Sequence, residues 1–514
     1  MHDDGGKSGK RLKNIDDIET RFVTLKPTSM EPRRSPRPSS PPSGGRSETP
    51  PAAARGSVAP PTPRPLSAHG TQFTQNPTDP RLEDVMVGFD FGTASTKVVL
   101  RTPHYLGGRA FAVPFPQLGG LEHRYLLPSR LVRLGEDAWS LAAPDAAHAD
   151  ARVIPNIKGM LMELRPASEH GDPAELATVF LALALREVRR WFLEHHRNVY
   201  GTRRLAWSMN VGLPAAPHDD FHVRGCFQRV ARAAWQASLE EAPVTCQMAR
   251  KFLADPLEPS IPELHHLELV PEVVAEAVGY ARSDRRQPGL HVLVDIGAST
   301  LDVCAFVLRG RDEDPERDAD QYSLLAAKVS HHGTIFFHRD RMEGLRAHAE
   351  AMDPLAPVPG DLMDALNSDP GVRLALERAE DNFVKKAAQV VTRLVWFVRK
   401  VRDPNAANWT RGVPLFLCGG GRNVPAFNRL LDRVDKHLKT HVQGCPGIRA
   451  RALPAPSLLN LHGGEQEYHR LAVAWGLSFD RFDFGDVSRP SEIEDFDGGA
   501  RLREAAPAID KEQV

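Results

Sequence analysis

A turn that occurs twice narrows the fold of this chain more than any other feature. Residues Asp90 to Val98 read D-F-G-T-A-S-T-K-V, and Asp295 to Val303 read D-I-G-A-S-T-L-D-V. Each copy follows an apolar strand (VMVGFDF; LHVLVDIG) and leads into another (TKVVLR; DVCAFVL), so each predicts a β-hairpin closed by small residues. The two copies are too far apart for a solenoid, whose repeats run about 20–50 residues. They imply two similar halves, each offering the same turn. Between them, LAWSMNVGLP (205–214) predicts a buried strand. Asp172-Pro173-Ala174-Glu175 predicts a helix start, with Asp at the cap and Pro in the first position. Residues 375–401 predict a long helix, and VPLFLCGGG (413–421) a strand entering a glycine turn, with a further helix opening near Pro425. Strands and helices alternate throughout, which makes the class α/β.

The turns carry definite chemistry. Small residues let backbone N–H groups converge on an anion. Gly92 and Gly297 permit the tight path, Ala94 and Ala298 keep it open, and Thr93, Ser95, Ser299 and Thr300 add hydroxyl donors. An aspartate beside a phosphate is repulsive unless a cation intervenes. Asp90 and Asp295 therefore imply Mg²⁺ held largely through water. A single such turn is equally compatible with a plain tight hairpin; two facing turns could clamp a triphosphate.

These residues resemble the two phosphate motifs of the actin, hexokinase and heat-shock chaperone superfamily, and LFLCGGGRNVPAF (415–427) resembles its adenosine-binding glycine turn. The resemblance covers roughly residues 85–480 and is nearest to the nucleotide-binding domain of the seventy-kilodalton heat-shock chaperones. IPNIKGMLMEL (154–164) is similar to the segment that bears that family's catalytic lysine, which aligns Lys158 with it. LVPEVVAEAVGYA (269–281) aligns Glu272 with the glutamate that positions a magnesium-bound water, and HHGTIFFHRDRM (331–342) keeps Gly333 near the γ-phosphate. The resemblance implies a two-lobed actin-like fold binding ATP/ADP and Mg²⁺. Asp90, Asp295 and Asp302 would hold the ion mainly through water, and Lys158, Glu272 and Asp295 would act in hydrolysis. Gly92, Thr93, Ala94, Ser95 and Lys97 from the first turn would touch the nucleotide, as would Gly297, Ala298, Ser299 and Thr300 from the second. Gly333, Gly419, Gly420, Gly421, Arg422 and Asn423 complete the set. It also implies a lobe I over 85–290, a lobe II over 291–452 and a return to lobe I over 453–484.

Three departures stand out. The second turn reads D-I-G-A-S-T where the chaperones have D-x-G-G-G-T, Lys97 sits where actin-like members place a phosphate-contacting lysine, and Arg422 is one place off the family's stacking arginine. No peptide-binding domain follows residue 484 in this sequence. The expectation is an ATP-hydrolysing switch read by a protein partner. The alternatives are a nucleotide-gated scaffold or actin-like assembly protein with little hydrolysis, and a small-molecule kinase.

Composition adds exclusions. A net charge of −1 gives no electrostatic reason to expect nucleic acid, and no apolar run reaches the roughly 18 residues of a membrane span. Five scattered cysteines without a CxxC pair point to reduced thiols and a cytoplasmic setting. Residues 1–84, rich in Pro, Ser and Arg over 31–66, predict a disordered tail. Within it Leu12, Ile15, Ile18, Phe22 and Leu25 recur at helical spacing, suiting a docking helix or a transient one. Residues 485–514 predict a second, solvated tail. DEDPERDAD (312–320) predicts a hairpin tip, and the paired histidines predict surface or polar-core positions.

Overall fold

The computed structural model describes residues 79–496, apart from 105–107, 120–123, 144–150, 168–170, 202, 256–263, 284, 311–319, 346–368, 458 and 462–467. The expected N-terminal tail up to residue 78, its helical spacing and most of the acidic hairpin tip lie outside the described residues. The class is α/β with mixed sheets. Its principal strands are β1 (Asp79–Asp90), β2 (Ser95–Arg101), β3 (Arg203–Leu213), β4 (Leu264–Pro271), β5 (Gly289–Ile296), β6 (Leu301–Arg309), β7 (Gln321–Ser330) and β8 (Val413–Cys418).

Both predicted hairpins form. β1 pairs antiparallel with β2, placing Asp90 opposite Lys97, and β5 pairs antiparallel with β6, placing Asp295 opposite Asp302. The first sheet runs 459–460, 110–112, β2, β1, β3, β4, and the second runs 486–488, β7, β6, β5, β8, 448–451. The two orders are the same. In each, three antiparallel strands are followed by two added in parallel beside the first, and a late short strand adds in parallel to the third.

The helices repeat as well. Pro173–His195 and Pro370–Phe397 each lead into the fourth strand of their sheet, and Phe221–Leu239 and Pro425–His441 each lead from the fourth to the fifth. Local chemistry explains their starts. The Asp172 carboxylate accepts from Ala174 N (2.8 Å) and Glu175 N (3.2 Å), and Asp369 accepts from Gly371 N (2.7 Å) and Val372 N (3.3 Å). Each has proline as the first helical residue. Such caps satisfy N–H groups that the helix itself cannot, and each is worth about 1 kcal/mol. The long helix starts at Pro370, five residues before the expected 375, and closes in a π-helical turn, Val398–Arg402.

One apolar core lies between the first sheet and its helices, centred on Val87, Phe89, Phe180 and Trp235; another backs the second sheet around Val294, Phe383 and Phe427. A third joins them, built on two short helices that exchange sides. Glu272–Ala281 follows β4 but packs on the second sheet, with Tyr280 against His291 and Phe416. Tyr468–Leu477 packs on the first: Asn210 Nδ2 of β3 donates to Leu477 O (2.9 Å) and Phe479 O (2.8 Å). Arg101 of β2 lies between the Trp475 and Phe479 rings, 4.1 Å and 3.8 Å from their centroids. The two helices cross at backbone contact, since a Cβ on Gly476 would meet Ala275 O at 1.7 Å.

Two boundaries differ from expectation. β1 begins at Asp79, six residues before the predicted start, and residues 485–496 are not a free tail. Asp486–Ser488 pairs with β7, and Arg402 donates to Pro490 O (3.0 Å) and pairs with Asp495 (3.4 Å). This segment is mostly polar, and it is held by a sheet edge, Arg402, a backbone bond from Phe496 N to Val401 O (2.9 Å) and the packing of Val487 and Ile493, none of which leaves an apolar period to read. All five cysteines are free, and no helix among the described residues is long and apolar enough to cross a membrane.

Candidate functional site

The two turns and the glycine turn after β8 meet at one cleft of about 390 Å³. Asp90, Gly92, Thr93, Ala94, Ser95 and Lys97 line it from the first hairpin, and Asp295, Gly297, Ala298, Thr300 and Asp302 from the second. Lys158, Glu272, Gly419, Gly420 and Gly421 complete the predicted set in its walls. Residues hundreds of positions apart are thus brought together by the matching strand orders, because each first hairpin presents its turn at the same end of its sheet.

The glycines act by close approach. A Cβ on Gly92 would meet Ser95 O at 2.2 Å, whereas one on Gly297 would meet Thr300 O only at 3.3 Å, so the steric demand is strict in the first turn and looser in the second. Gly419 has φ of +80°, and a Cβ there would meet Asp295 Oδ1 at 1.9 Å. A side chain at 419 would therefore displace the second-turn carboxylate.

Four predicted contacts fall outside the lining. Gly333 lies behind the second turn: its N–H donates to Ser299 O (3.2 Å), while Thr334 N donates to Gly297 O (3.1 Å) and Ile335 N to Ala298 O (2.8 Å). It buttresses the turn, and its neighbour Thr334 reaches the cleft. Ser299 is held in the same backbone ladder. Arg422 and Asn423 lie on the short helical turn Gly420–Asn423, where Asn423 Nδ2 meets His469 Nε2 at 3.2 Å. His469 and Arg470 line the cleft in their place.

The charged groups form two ion pairs and a remainder. Lys97 Nζ is 3.0 Å from Asp90 Oδ2, and Lys158 Nζ is 2.7 Å from Glu272 Oε1 in a pair that is almost wholly buried. Burial opposes the Lys158 ammonium, but the charges of Glu272, Asp90 and Asp302 outweigh it and hold its pKa above the ordinary value. Glu272, Asp295 and Asp302 offer carboxylate oxygens that all lie within 4.8 Å of one another. Asp295 Oδ1 and Asp302 Oδ1 are buried without a hydrogen-bond partner. Of the expected magnesium set Asp90, Asp295 and Asp302, Asp90 is paired with Lys97, while Asp295 and Asp302 cluster with Glu272. Burial and then the Glu272 charge push the Asp295 carboxyl up to about 7. Glu276, one helical turn beyond Glu272, is buried in the same wall and went unnoticed in the sequence. Two glutamates four apart in the otherwise apolar helix EVVAEAVGYA were the available signal.

Such an arrangement can bind a polyanion through turn N–H groups and hold a divalent cation against it. It also sets a pH dependence. With its pKa raised, Asp295 stabilises the metal-free fold below pH about 4, and this contribution is lost as pH rises through about 7. We expect the metal-free chain to lose on the order of 1 kcal/mol from this group, less than the full shift because Asp295 still meets solvent in the cleft. Mg²⁺ should restore the loss at pH 8 and do little at pH 5, since its ligands must be deprotonated. Melting temperatures at both pH values, with and without Mg²⁺, check this; equal Mg²⁺ effects at the two pH values would remove the assignment.

No protein-family model matches the chain, and no curated protein is significantly similar to it. Any functional reading therefore rests on the residues and their geometry.

Proposed function

We propose that this chain is a Mg²⁺-dependent, ATP-binding and ATP-hydrolysing molecular switch, built as a two-lobed actin-like domain of the heat-shock-chaperone type. One observation carries the reading: two hairpins with equivalent positions in two identically ordered sheets bring their small-residue turns to a single cleft that also holds Lys158, Glu272 and Asp295. The first two turns would take the phosphates, and the Gly419–Gly421 turn the adenosine side.

Phosphoryl transfer needs positioning and charge stabilisation more than covalent chemistry. The Glu272 carboxylate fixes the Lys158 ammonium, which orients the attacking water. Asp295, at the mouth of the second turn, would accept that water's proton. Glu272, Asp295 and Asp302 would hold a magnesium ion, which would supply charge neutralisation at the phosphates. ATP and ADP would favour different lobe closures through the exchanged helices, and a protein partner would read the difference. The five free thiols suit a reducing cytoplasm.

One observation favours the second reading, a nucleotide-gated scaffold that hydrolyses slowly. Lys97 neutralises Asp90, so the first turn aspartate is less available to a metal shell than its family counterpart. The deciding experiment is ATP binding and phosphate release by the full-length chain, with and without Mg²⁺. Binding with Mg²⁺-dependent turnover supports the switch. Binding without turnover, accompanied by ATP-dependent pelleting, supports the scaffold. No binding with or without Mg²⁺ overturns both.

A further inference from the structure

The duplicated hairpins differ in charge at one equivalent position. Opposite its turn aspartate the first hairpin has Lys97, and the pair is internally neutral at 3.0 Å. The second has Asp302 directly opposite Asp295. Like charges in that cross-strand relation destabilise a sheet, and within the hairpin the Thr300 hydroxyl, donating to Asp302 Oδ2 at 3.2 Å, offsets them only in part. Glu272 brings a third carboxylate within 4.8 Å, but it is already committed to Lys158.

Glu276 sharpens the imbalance. It is only 2% exposed, and it lines both the cleft and a small cavity of about 20 Å³ behind it, which Glu272, Asp295 and Asp302 also line. Its Oε2 has no hydrogen-bond partner, nor do Asp295 Oδ1 and Asp302 Oδ1. The two lysines lining the cleft are both engaged elsewhere. One buried and two part-buried carboxyl groups thus each leave a buried oxygen unsatisfied in one wall, on two paired strands and one helix. Buried groups of this kind are ordinarily paired or ligate a metal.

We propose that Glu272, Asp295 and Asp302, with Glu276 beside them in the same wall, form a protein-only site for a hard divalent cation that fills in the absence of nucleotide. An all-oxygen, carboxylate-rich set selects the Mg²⁺, Mn²⁺ and Ca²⁺ class over softer metals. This goes beyond a magnesium ion that arrives with the triphosphate, because the ligands come from the chain and the ion would tie the second hairpin to the Glu272–Ala281 helix beforehand.

The test uses Mn²⁺ as the probe on the full-length, nucleotide-free chain, with free Mn²⁺ followed by electron paramagnetic resonance. One Mn²⁺ per chain, displaced by Mg²⁺, is expected. Glu276→Gln and Asp302→Asn should each weaken it by about tenfold or more. Removing one charge from a crowded cluster should leave the metal-free melting temperature of Glu276→Gln at or above that of the parent, so lost binding is not mistaken for unfolding. No Mn²⁺ binding by the parent, or equal affinity in parent and both variants, overturns the site. ATP binding measured on the same samples keeps the two ideas apart. ATP binding without nucleotide-free Mn²⁺ overturns the cation site alone. Mn²⁺ binding without ATP binding upholds the site and overturns the nucleotide reading.

Discussion

Asp295→Asn is expected to lower ATP turnover by about 10²–10³-fold, the scale of losing one preorganised electrostatic group in a catalytic centre, while ATP binding at saturating Mg²⁺ changes by only a few-fold. The asymmetry follows from position. Asp295 lies one residue before the end of β5 at the mouth of the second turn, so its carboxylate faces the cleft, whereas the turn N–H groups that would hold phosphate belong to Ala298 and Thr300 and survive the substitution. Asparagine preserves the size that the close approach of Gly419 requires. It cannot accept a proton as a carboxylate does. Single-turnover phosphate release and equilibrium nucleotide binding, measured on one preparation, check the split. Turnover within threefold of the parent would remove Asp295 from the chemistry.

Lys158→Met should be damaging in two separable ways. The lysine is 4% exposed and lies 2.7 Å from an equally enclosed glutamate, so removing it strands a charge in the interior, at a cost of about 3–5 kcal/mol. Adding Glu272→Leu removes the stranded charge. Replacing both members of a buried pair with apolar side chains of similar volume is often neutral or stabilising, so the double variant should melt near the parent. Turnover should stay lost in both. Recovery of stability without recovery of turnover assigns the Lys158–Glu272 pair a part in the reaction. Recovery of both would make the pair purely structural.

The sequence was most legible where chemistry is local. The hairpin register that sets Asp90 opposite Lys97 follows from alternation around a two-sided turn, and the cap at Asp172 and the helix start at Pro425 depend on neighbours within a few residues. That Lys158 and Glu272, 114 positions apart, would pair was not readable by spacing; a family resemblance put both in the cleft without stating their contact. Glu276, Thr334, His469 and Arg470 reach the site because of helix rotation and a backbone ladder, and neither leaves a period in the chain. Gly333 shows the limit from the other side. A glycine is required there, since a Cβ would meet Ala298 O at 2.4 Å, but the requirement comes from the turn packed on it, and it is Thr334 beside it that lines the cleft. The order of residues 485–496 depends on the edge of β7 and on Arg402, which are supplied by distant parts of the chain.

The exchange of the two short helices also governs when the protein can become itself. The first sheet is assembled from residues made early, yet Arg101 hydrogen-bonds to Ser478, 377 positions later, and Asn210 waits for the carbonyls of Leu477 and Phe479. During synthesis, at about 5–20 residues per second, the early half must stay with an uncovered apolar face until the Tyr468–Leu477 helix leaves the ribosome. Contacts of such range make folding slow, and the exposed interval is when a nascent chain is open to holdases or proteases.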